Sequence, residues 1–452
     1  MTAPFVGEGQ EKQLRVLLIA EAANPEWASV PLVGWSHSHA IMELVDAHLV
    51  TQIRNYEAIC RTGLIPGASF TAIDSERVAR IVSRIRKLVR GGIERGWTTA
   101  TALNAISYYY FEHLVWKRFG QQIKSGAFDI VHRITPLSPT TPSLLARKCR
   151  RNGVPFVVGP LNGGIPWPKG FDLARRKEGE WLSYVRGAYR LLPGYRSMRR
   201  NASTIIVGSR DTWQQISPRY RHKCVYIPEN AIDPKRFTRI RTRRAKRPIS
   251  LVFVGRLVPY KGADMLIEAA APIIRAGAVT LTIIGDGPQM PSLKSLAKRE
   301  GISTDVTFTG WVEHKDVQQH LVGADVFVFP SIREFGGAVA LEAMAMGLVP
   351  VVVDYGGPSE LVTEATGFTV PIGPRDEIIR GFNQVLTALV ENPQVIGPMG
   401  ERARQRVFSQ FTWDAKARQT LEVYRWVLAE RPNKPDFGMP LSDSLAVPAT
   451  IP

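Results

Sequence analysis

Two carboxylates, Glu334 and Glu342, bracket the stretch Glu334-Phe335-Gly336-Gly337-Ala338-Val339-Ala340-Leu341-Glu342. It follows the apolar run Val326–Phe329 and meets no breaker until Gly347, so it reads as strand, glycine turn and helix. Gly336 and Gly337 let the backbone turn tightly and come close to a ligand. The helix start then aims the N–H groups of Gly336, Gly337 and Ala338, with the positive dipole end, at one spot, which suits a phosphate. Glu342 falls about one turn into that helix, and Glu334 stands before it. The pair can therefore bracket a polyhydroxylated ligand whose phosphates rest on the amides. The ordinary alternative is a plain turn, with Glu334 stabilised by the dipole and Glu342 on a solvated face.

A second group of residues bears on the same chemistry. Gly255-Arg256-Leu257-Val258-Pro259-Tyr260-Lys261-Gly262 ends the apolar run Ile249–Val254 and opens a helical stretch. Ligands of open α/β sheets sit beyond the carboxyl ends of the strands, where such a loop lies. Arg256 and Lys261 supply two cations for a pyrophosphate, and the arginine fork matches phosphate oxygens. Two solvated loop cations are the alternative. The loop is neither a Walker A sequence nor a GxGxxG fingerprint, so neither an NTPase nor a dinucleotide dehydrogenase gains support.

The elements that must position these groups alternate along the chain. Strands are expected at Leu14–Ala20, His48–Ile53, Asp129–Ile134, Val154–Gly159 and Thr204–Gly208, then at Ile249–Val254, Val279–Ile284, Val306–Thr309, Val326–Phe329 and Val349–Val353. Helical stretches fall near 74–90, 98–119, 138–151, 262–276, 289–300, 314–322, 338–346 and 375–392. Such alternation implies α/β architecture with doubly wound parallel sheets. Turn residues from Asn230 to Pro234, followed by a basic stretch from Lys235 to Arg247, mark a boundary. The expected units are residues 1–235, residues 236–411, a C-terminal helix over 412–430 packing back on the first unit, and a Pro-rich, disordered tail over 431–452.

The 452 residues are enough for two such units, and 44% hydrophobic with 22% charged residues is ordinary for a soluble globular chain. Cys60, Cys149 and Cys224 form no CxxC pair, which fits a reducing, cytoplasmic setting and argues against a disulfide framework or zinc site. The first residues lack the apolar centre of a signal peptide, and no apolar run is long enough to span a membrane. Charge is uneven. Residues 1–235 hold 33 Lys and Arg against 18 Asp and Glu, whereas 236–452 hold 25 against 22. The basic half suits an anionic partner such as nucleic acid, acidic lipid or a phosphate-bearing acceptor.

Across residues 250–370 the order and spacing of motifs resemble the C-terminal half of family 4 glycosyltransferases. The matching pieces are Gly255-Arg256-Leu257 with Lys261-Gly262, Gly285-Asp286-Gly287-Pro288, Gly310, Ala324-Asp325-Val326 with Pro330-Ser331, the Glu-x7-Glu segment with Ala343-Met344-Ala345, and Gly356-Gly357 before Glu360. The resemblance implies the GT-B fold, two Rossmann-like domains facing across a cleft, and sugar transfer with retention at the anomeric carbon. It implies that Arg256 and Lys261, beside Gly255, hold the donor diphosphate and stabilise the leaving nucleotide. It also implies that Glu334 binds sugar hydroxyls with the amides of Gly336, Gly337 and Ala338, that Glu342 binds the ribose, and that the base packs near Trp311 and Val312. One departure stands out: family members commonly place Gly or Pro and then Phe-Gly after the first Glu, whereas here Phe335 follows directly. Asp-x-Asp, the usual metal-holding motif, is absent from the sequence, so no metal and no cofactor is expected, with the nucleotide sugar as co-substrate.

The first half resembles the family more loosely. Phe128-Asp129-Ile130-Val131-His132 is similar to the family's strand ending in a cleft-facing His, which makes His132 a further catalytic candidate; a structural His at a strand end is the alternative. Gly34 stands where the family has a glycine-rich loop, and Asn162-Gly163-Gly164 follow a strand on the acceptor side. Val78 to Arg90 interleaves apolar residues at helical spacing with Arg and Lys, and Arg175 to Arg200 mixes Trp and Tyr with many Arg. Both suit peripheral docking at the inner, anionic face of a membrane next to a lipid-linked acceptor, or equally an ordinary amphipathic helix. Two other functions compete less well, since the Glu334–Glu342 segment speaks for transfer. A nucleotide-sugar epimerase would consume donor without acceptor, and a basic nucleic-acid-binding protein would leave the C-terminal constellation without a purpose, so no nucleic acid partner is expected.

Overall fold

The computed structural model describes residues 13–76, 97–168, 170–172, 188–237, 248–313 and 316–438, with the backbone alone for 97–104 and Ala188. The basic stretch Val78–Arg90, the first half of the segment from Arg175 to Arg200, the linker from 238 to 247 and the tail beyond 438 lie outside these residues.

Among the described residues, thirteen strands form two sheets in which every ladder is parallel. The first comprises β1 (Arg15–Ala20), β2 (Asp46–Gln52), β3 (Phe70–Ile73), β4 (Ile130–Thr135), β5 (Phe156–Leu161), β6 (Thr204–Val207) and β7 (Cys224–Tyr226), in the order β3-β2-β1-β4-β5-β6-β7. The second comprises β8 (Ile249–Val254), β9 (Val279–Ile284), β10 (Val306–Gly310), β11 (Val326–Phe329), β12 (Val349–Asp354) and β13 (Phe368–Pro371), in the order β10-β9-β8-β11-β12-β13. Both are doubly wound α/β domains. Each sheet reverses its order beside its first strand, at β1/β4 and at β8/β11, and such points open a crevice at the carboxyl edge.

Helices cover both faces of these sheets, so the strands read as near-continuous apolar runs. Val16 to Ala20 of β1 and Val326 to Val328 of β11 are wholly buried. The helix Ala263–Arg275 turns Leu266, Ala270 and Ile274 inward at spacings of four. Its start depends on Gly262, whose φ of 74° a side chain rarely adopts. A Cβ there would also lie 2.4 Å from the Pro330 carbonyl, so glycine lets this turn press against the end of β11.

Three strands are missing from the sequence expectation: β3, β7 and β13. Each has four residues or fewer and lies at a sheet edge, where the pattern is short and weak. The helix expected over 138–151 is confined to Leu145–Arg151. Pro139 and Pro142 remove donors and bias their predecessors toward extended backbone.

The chain crosses between the domains twice. After β7 it runs through Ile232 toward β8, and after the helix Ile396–Gln410 it returns into the helix Trp413–Val427. The two crossings touch: Ile232 N–H donates to the Phe411 carbonyl at 2.8 Å, and Trp413 N–H donates to that of Ile232 at 3.3 Å. Helix Trp413–Val427, capped by Thr412 Oγ1 on the Ala415 amide, packs on Val30–Met42 of the first domain. Its Ala417, Val423 and Tyr424 are buried with Val16, Leu18 and Ile130 of the first sheet.

Candidate active site

The site grows from four strand ends. The loop after β8 carries Gly255, Arg256 and the short turn Pro259–Lys261. Ile332 N–H and Ser331 Oγ–H, just beyond β11, both donate to the Tyr260 carbonyl, at 3.0 and 3.2 Å. With the close approach at Gly262, these bonds hold Lys261 beside the segment that follows β11. Its ammonium is ion-paired with the Glu334 carboxylate and lies 5.2 Å from the centre of the Phe329 ring. Only 16% of the Lys261 side chain and 21% of the Glu334 side chain are exposed, so the pair is shielded from most solvent. Arg256 stands exposed on the same loop, one residue beyond half-buried Gly255.

The Glu334–Gly337 turn is clamped on several sides. Gly357 N–H donates to the Glu334 carbonyl at 3.1 Å, and Asn162 Nδ2–H, from just past β5, donates to the Phe335 carbonyl at 2.9 Å. A Cβ on Gly336 would lie 1.9 Å from Asn230 Nδ2 and 2.4 Å from Glu229 Oε1, which leaves no room for a side chain. Gly337, at φ 67°, turns the chain into the helix Ala338–Ala345, with Ala338 exposed at its first position. Glu342 is half-buried one turn further. Lys261, Glu334 and the Gly336–Ala338 helix start thus meet at the carboxyl edge of the second sheet, facing Asn162 of the first.

The remaining expected residues take varied places. Trp311 is 73% exposed after Gly310 at the end of β10, while Val312 is half-buried against the core. Gly163 and Gly164 follow Asn162, both at positive φ, and their carbonyls accept from Gln215 Nε2 at 3.3 and 3.4 Å. Gly34 lies inside the helix Val30–Met42, which corrects the expected loop. A Cβ there would meet the Ala22 carbonyl at 2.0 Å, so this glycine serves close packing of the helix on the turn after β1.

His132 also departs from expectation. It is wholly buried, with Nδ1 at 2.6 Å from the Tyr424 hydroxyl and Nε2 at 2.7 Å from the Gly159 carbonyl. Both ring nitrogens are occupied, so the residue locks the returning helix to β4 and β5 and offers no atom to a sugar. Burial pushes its pKa down to about 4, and that of neighbouring His37 to about 3.

Nothing local in the sequence marks Glu229, or Glu360 beyond its place after Gly356-Gly357, as lining the seam. Glu229, just ahead of the turn residues Asn230–Pro234, is buried behind Gly336. Burial pushes its carboxyl up to about 8, hydrogen bonding from Asn162 opposes this, and the charge of Glu334 adds to it. Lys416 on the returning helix is also fully buried and is pushed down to about 7. Glu360 accepts the Arg210 N–H at 2.9 Å and the Tyr226 O–H, so a carboxylate of the second domain caps a helix start of the first. Burial raises it to about 7. A charged residue in a turn ordinarily reads as solvated, and no local pattern marks Glu229 as buried.

Residues 234–404 match the family described as glycosyl transferases group 1. This segment contains Arg256, Lys261, Glu334 and Glu342. The chain is 34% identical over 176 residues to an uncharacterized glycosyltransferase of Methanocaldococcus jannaschii, which covers 39% of this chain and 44% of that protein. It is 34% identical over 196 residues to a GDP-mannose-dependent α-(1-6)-phosphatidylinositol monomannoside mannosyltransferase of Mycobacterium tuberculosis, covering 41% of this chain and 50% of that one. The chain thus spans about half the length of the curated relatives it matches. Among solved structures, Anabaena HepE in complex with UDP superposes with a TM-score of 0.56 at 16% identity, over 90% of this chain and 98% of that one. That likeness concerns the fold, which is GT-B. The segment that this family matches covers the second domain, and the acids at the seam join that domain to the first.

Proposed function

We propose that the protein transfers a hexose from a nucleoside diphosphate sugar to a glycan or lipid-linked acceptor, with retention, in the synthesis of a cell-surface polysaccharide or glycolipid. The observation that carries this reading is the meeting of Lys261, Glu334 and the glycine-led helix start at one strand edge, opposite Asn162. Departure of a nucleoside diphosphate builds negative charge on phosphate oxygens while the sugar becomes oxocarbenium-like. Groups already aimed at those oxygens stabilise that charge without reorganising. Lys261 and Arg256 supply full charges, and the Gly336–Ala338 amides supply a dipole end. Glu334 then orients the sugar hydroxyls and Glu342 the ribose, and the acceptor attacks the same face from the first domain. Trp311 and Val312 border the base.

Relatives support this reading through their own descriptions: the mycobacterial enzyme is GDP-mannose-dependent, and HepE is seen with UDP. The chemistry proposed needs no metal, so transfer should continue in EDTA; activity lost in EDTA and restored by a divalent ion would refute that part. No helix among the described residues is long and apolar enough to cross a membrane. The reading places the protein peripherally, at the cytoplasmic face. A thermal-shift screen against nucleotide sugars, repeated with Glu334→Ala and Lys261→Ala, tests the whole. Stabilisation by one sugar nucleotide that both substitutions weaken is the expected result. An equal shift in all three proteins would overturn it.

A further inference from the structure

The first domain carries a surface that the transfer chemistry leaves unused. Seven large apolar side chains are exposed among the described residues, and three of them, Ile106, Leu144 and Leu191, lie on elements packed together. Leu191 is 82% exposed, Ile106 51% and Leu144 39%. Contacts bring them to one region. A Cβ on Gly194, three residues after Leu191, would lie 2.7 Å from Leu144 Cδ2. The Tyr109 hydroxyl, one turn along the helix from Ile106, donates to the Pro193 carbonyl at 2.6 Å. The turn Ala188–Leu191 packs on the same helix, Trp97–Lys124.

The surround is cationic. The helices Trp97–Lys124, Leu145–Arg151 and Tyr195–Asn201 and the turn Ala188–Leu191 together hold eleven Lys and Arg, of which Arg199 is buried and Lys124, Arg150, Arg151 and Arg200 fall at the far ends of their helices, and one carboxylate, Glu112, which is buried. Arg147, Arg190 and Arg196 stand exposed, close along the chain to Leu144 and Leu191. Topology fixes where this patch faces. Leu144 precedes the helix that follows β4, and Leu191 precedes the helix that leads into β6. Both therefore sit at the carboxyl edge of the first sheet, the edge on which Asn162 meets the second domain.

We propose that this patch docks the first domain onto an anionic lipid bilayer, with Leu191, Leu144 and Ile106 entering the headgroup boundary and Arg147, Arg190 and Arg196 meeting acidic headgroups. Exposed leucines ringed by cations match an interface that is apolar inside and anionic at its surface. They match nucleic acid poorly, since a phosphate backbone rewards the cations and leaves the leucines in water. Docking by this edge presents the mouth of the cleft to the membrane plane, where a lipid-linked acceptor lies. The inference deepens the peripheral placement proposed above and is independent of which sugar moves.

The test is sedimentation of the full chain with vesicles of phosphatidylcholine, with and without phosphatidylglycerol. Sedimentation should require the acidic lipid and weaken with salt. Arg147→Glu with Arg196→Glu should lower vesicle affinity by at least about fivefold for each cation reversed, and Leu191→Ser should lower it in low salt as well. Lys294→Glu with Lys298→Glu, the same charge change on an exposed helix of the second domain, should leave it unchanged. Thermal shifts with sugar nucleotides, run on every variant, keep the donor site under separate observation. Vesicle binding lost equally in the Lys294/Lys298 variant, absent in the wild type, or displaced by short RNA or DNA at lower concentration than by acidic lipid would overturn the docking surface. In each case an intact donor-induced shift would leave the transferase reading standing.

Discussion

Replacing Glu334 by glutamine separates two things that the carboxylate does at once. In the structure it neutralises Lys261; in the proposed reaction it must leave that partner to meet sugar hydroxyls while the ammonium turns to phosphate. Two unit charges near contact attract by roughly 4 kcal/mol at the effective dielectric of a partly shielded site. Most of that is offset by lost hydration and side-chain freedom, which leaves about 1 kcal/mol for the donor to displace. Glutamine keeps the shape and removes the charge. Affinity for the bare nucleoside diphosphate should therefore rise about fivefold, since about 1 kcal/mol is released and the repulsion between carboxylate and phosphate disappears as well. Turnover should fall by about a hundredfold or more, as expected for losing a group that is oriented toward the transition state. Calorimetric titration of both proteins with the diphosphate and with the sugar nucleotide, beside steady-state rates, reads all three quantities. Weaker binding of the diphosphate by Glu334→Gln would show that the carboxylate does not restrain Lys261, and the reasoning would fail.

Other perturbations give distinct signatures. Gly336→Ala forces a methyl into Asn230 and Glu229, so it should cost about 1–3 kcal/mol of stability and abolish the donor-induced thermal shift; a wild-type shift would contradict the clamp. His132→Asn breaks buried bonds to Tyr424 and Gly159 and should destabilise by about 2–3 kcal/mol in urea, while kcat of the folded fraction stays near wild type. Because burial lowers His132 to about 4 from an ordinary 6.5, its neutral form is favoured by folding, so its contribution is complete above 6.5 and is lost as pH falls through 4; the variant should show a shallower acid limb. Glu360 has the opposite sign: its pKa rises to about 7 from 4.5, so its contribution is complete below 4.5 and is lost as pH rises through 7. Urea midpoints of Glu360→Gln should decline less between those values than those of the wild type.

Much of the second domain is legible in the residues themselves. Ile249–Val254, Val279–Ile284 and Val326–Phe329 are expected and found with the same bounds, because strands buried on both faces carry unbroken apolar runs between turn residues. The Glu334–Glu342 segment is equally readable, since strand, glycine pair and helix follow one another directly. The shortest edge strands escape, as β13 shows: Phe368–Pro371 is four residues long and ends in proline. His132 escapes for another reason. Its surroundings come from Tyr424, 292 residues away, and nothing near Asp129–Ile134 announces that partner. Glu229 is hidden in the same way, since its burial is set by Gly208 and Gly336 on opposite domains. Local pattern reports what lies along the chain, and the seam is made across it.

The paired crossings at Ile232 and Phe411–Trp413 bear on how such molecules can be recombined. Since Trp413–Val427 is built into the first core through Tyr424 and Val423, exchanging the second domain with that of a relative requires two cuts, one near each crossing. A chimera joined at a single point would unite a first domain with a foreign closing helix, and the mismatch would strike His37 and His132 before it reached Lys261 or Glu334.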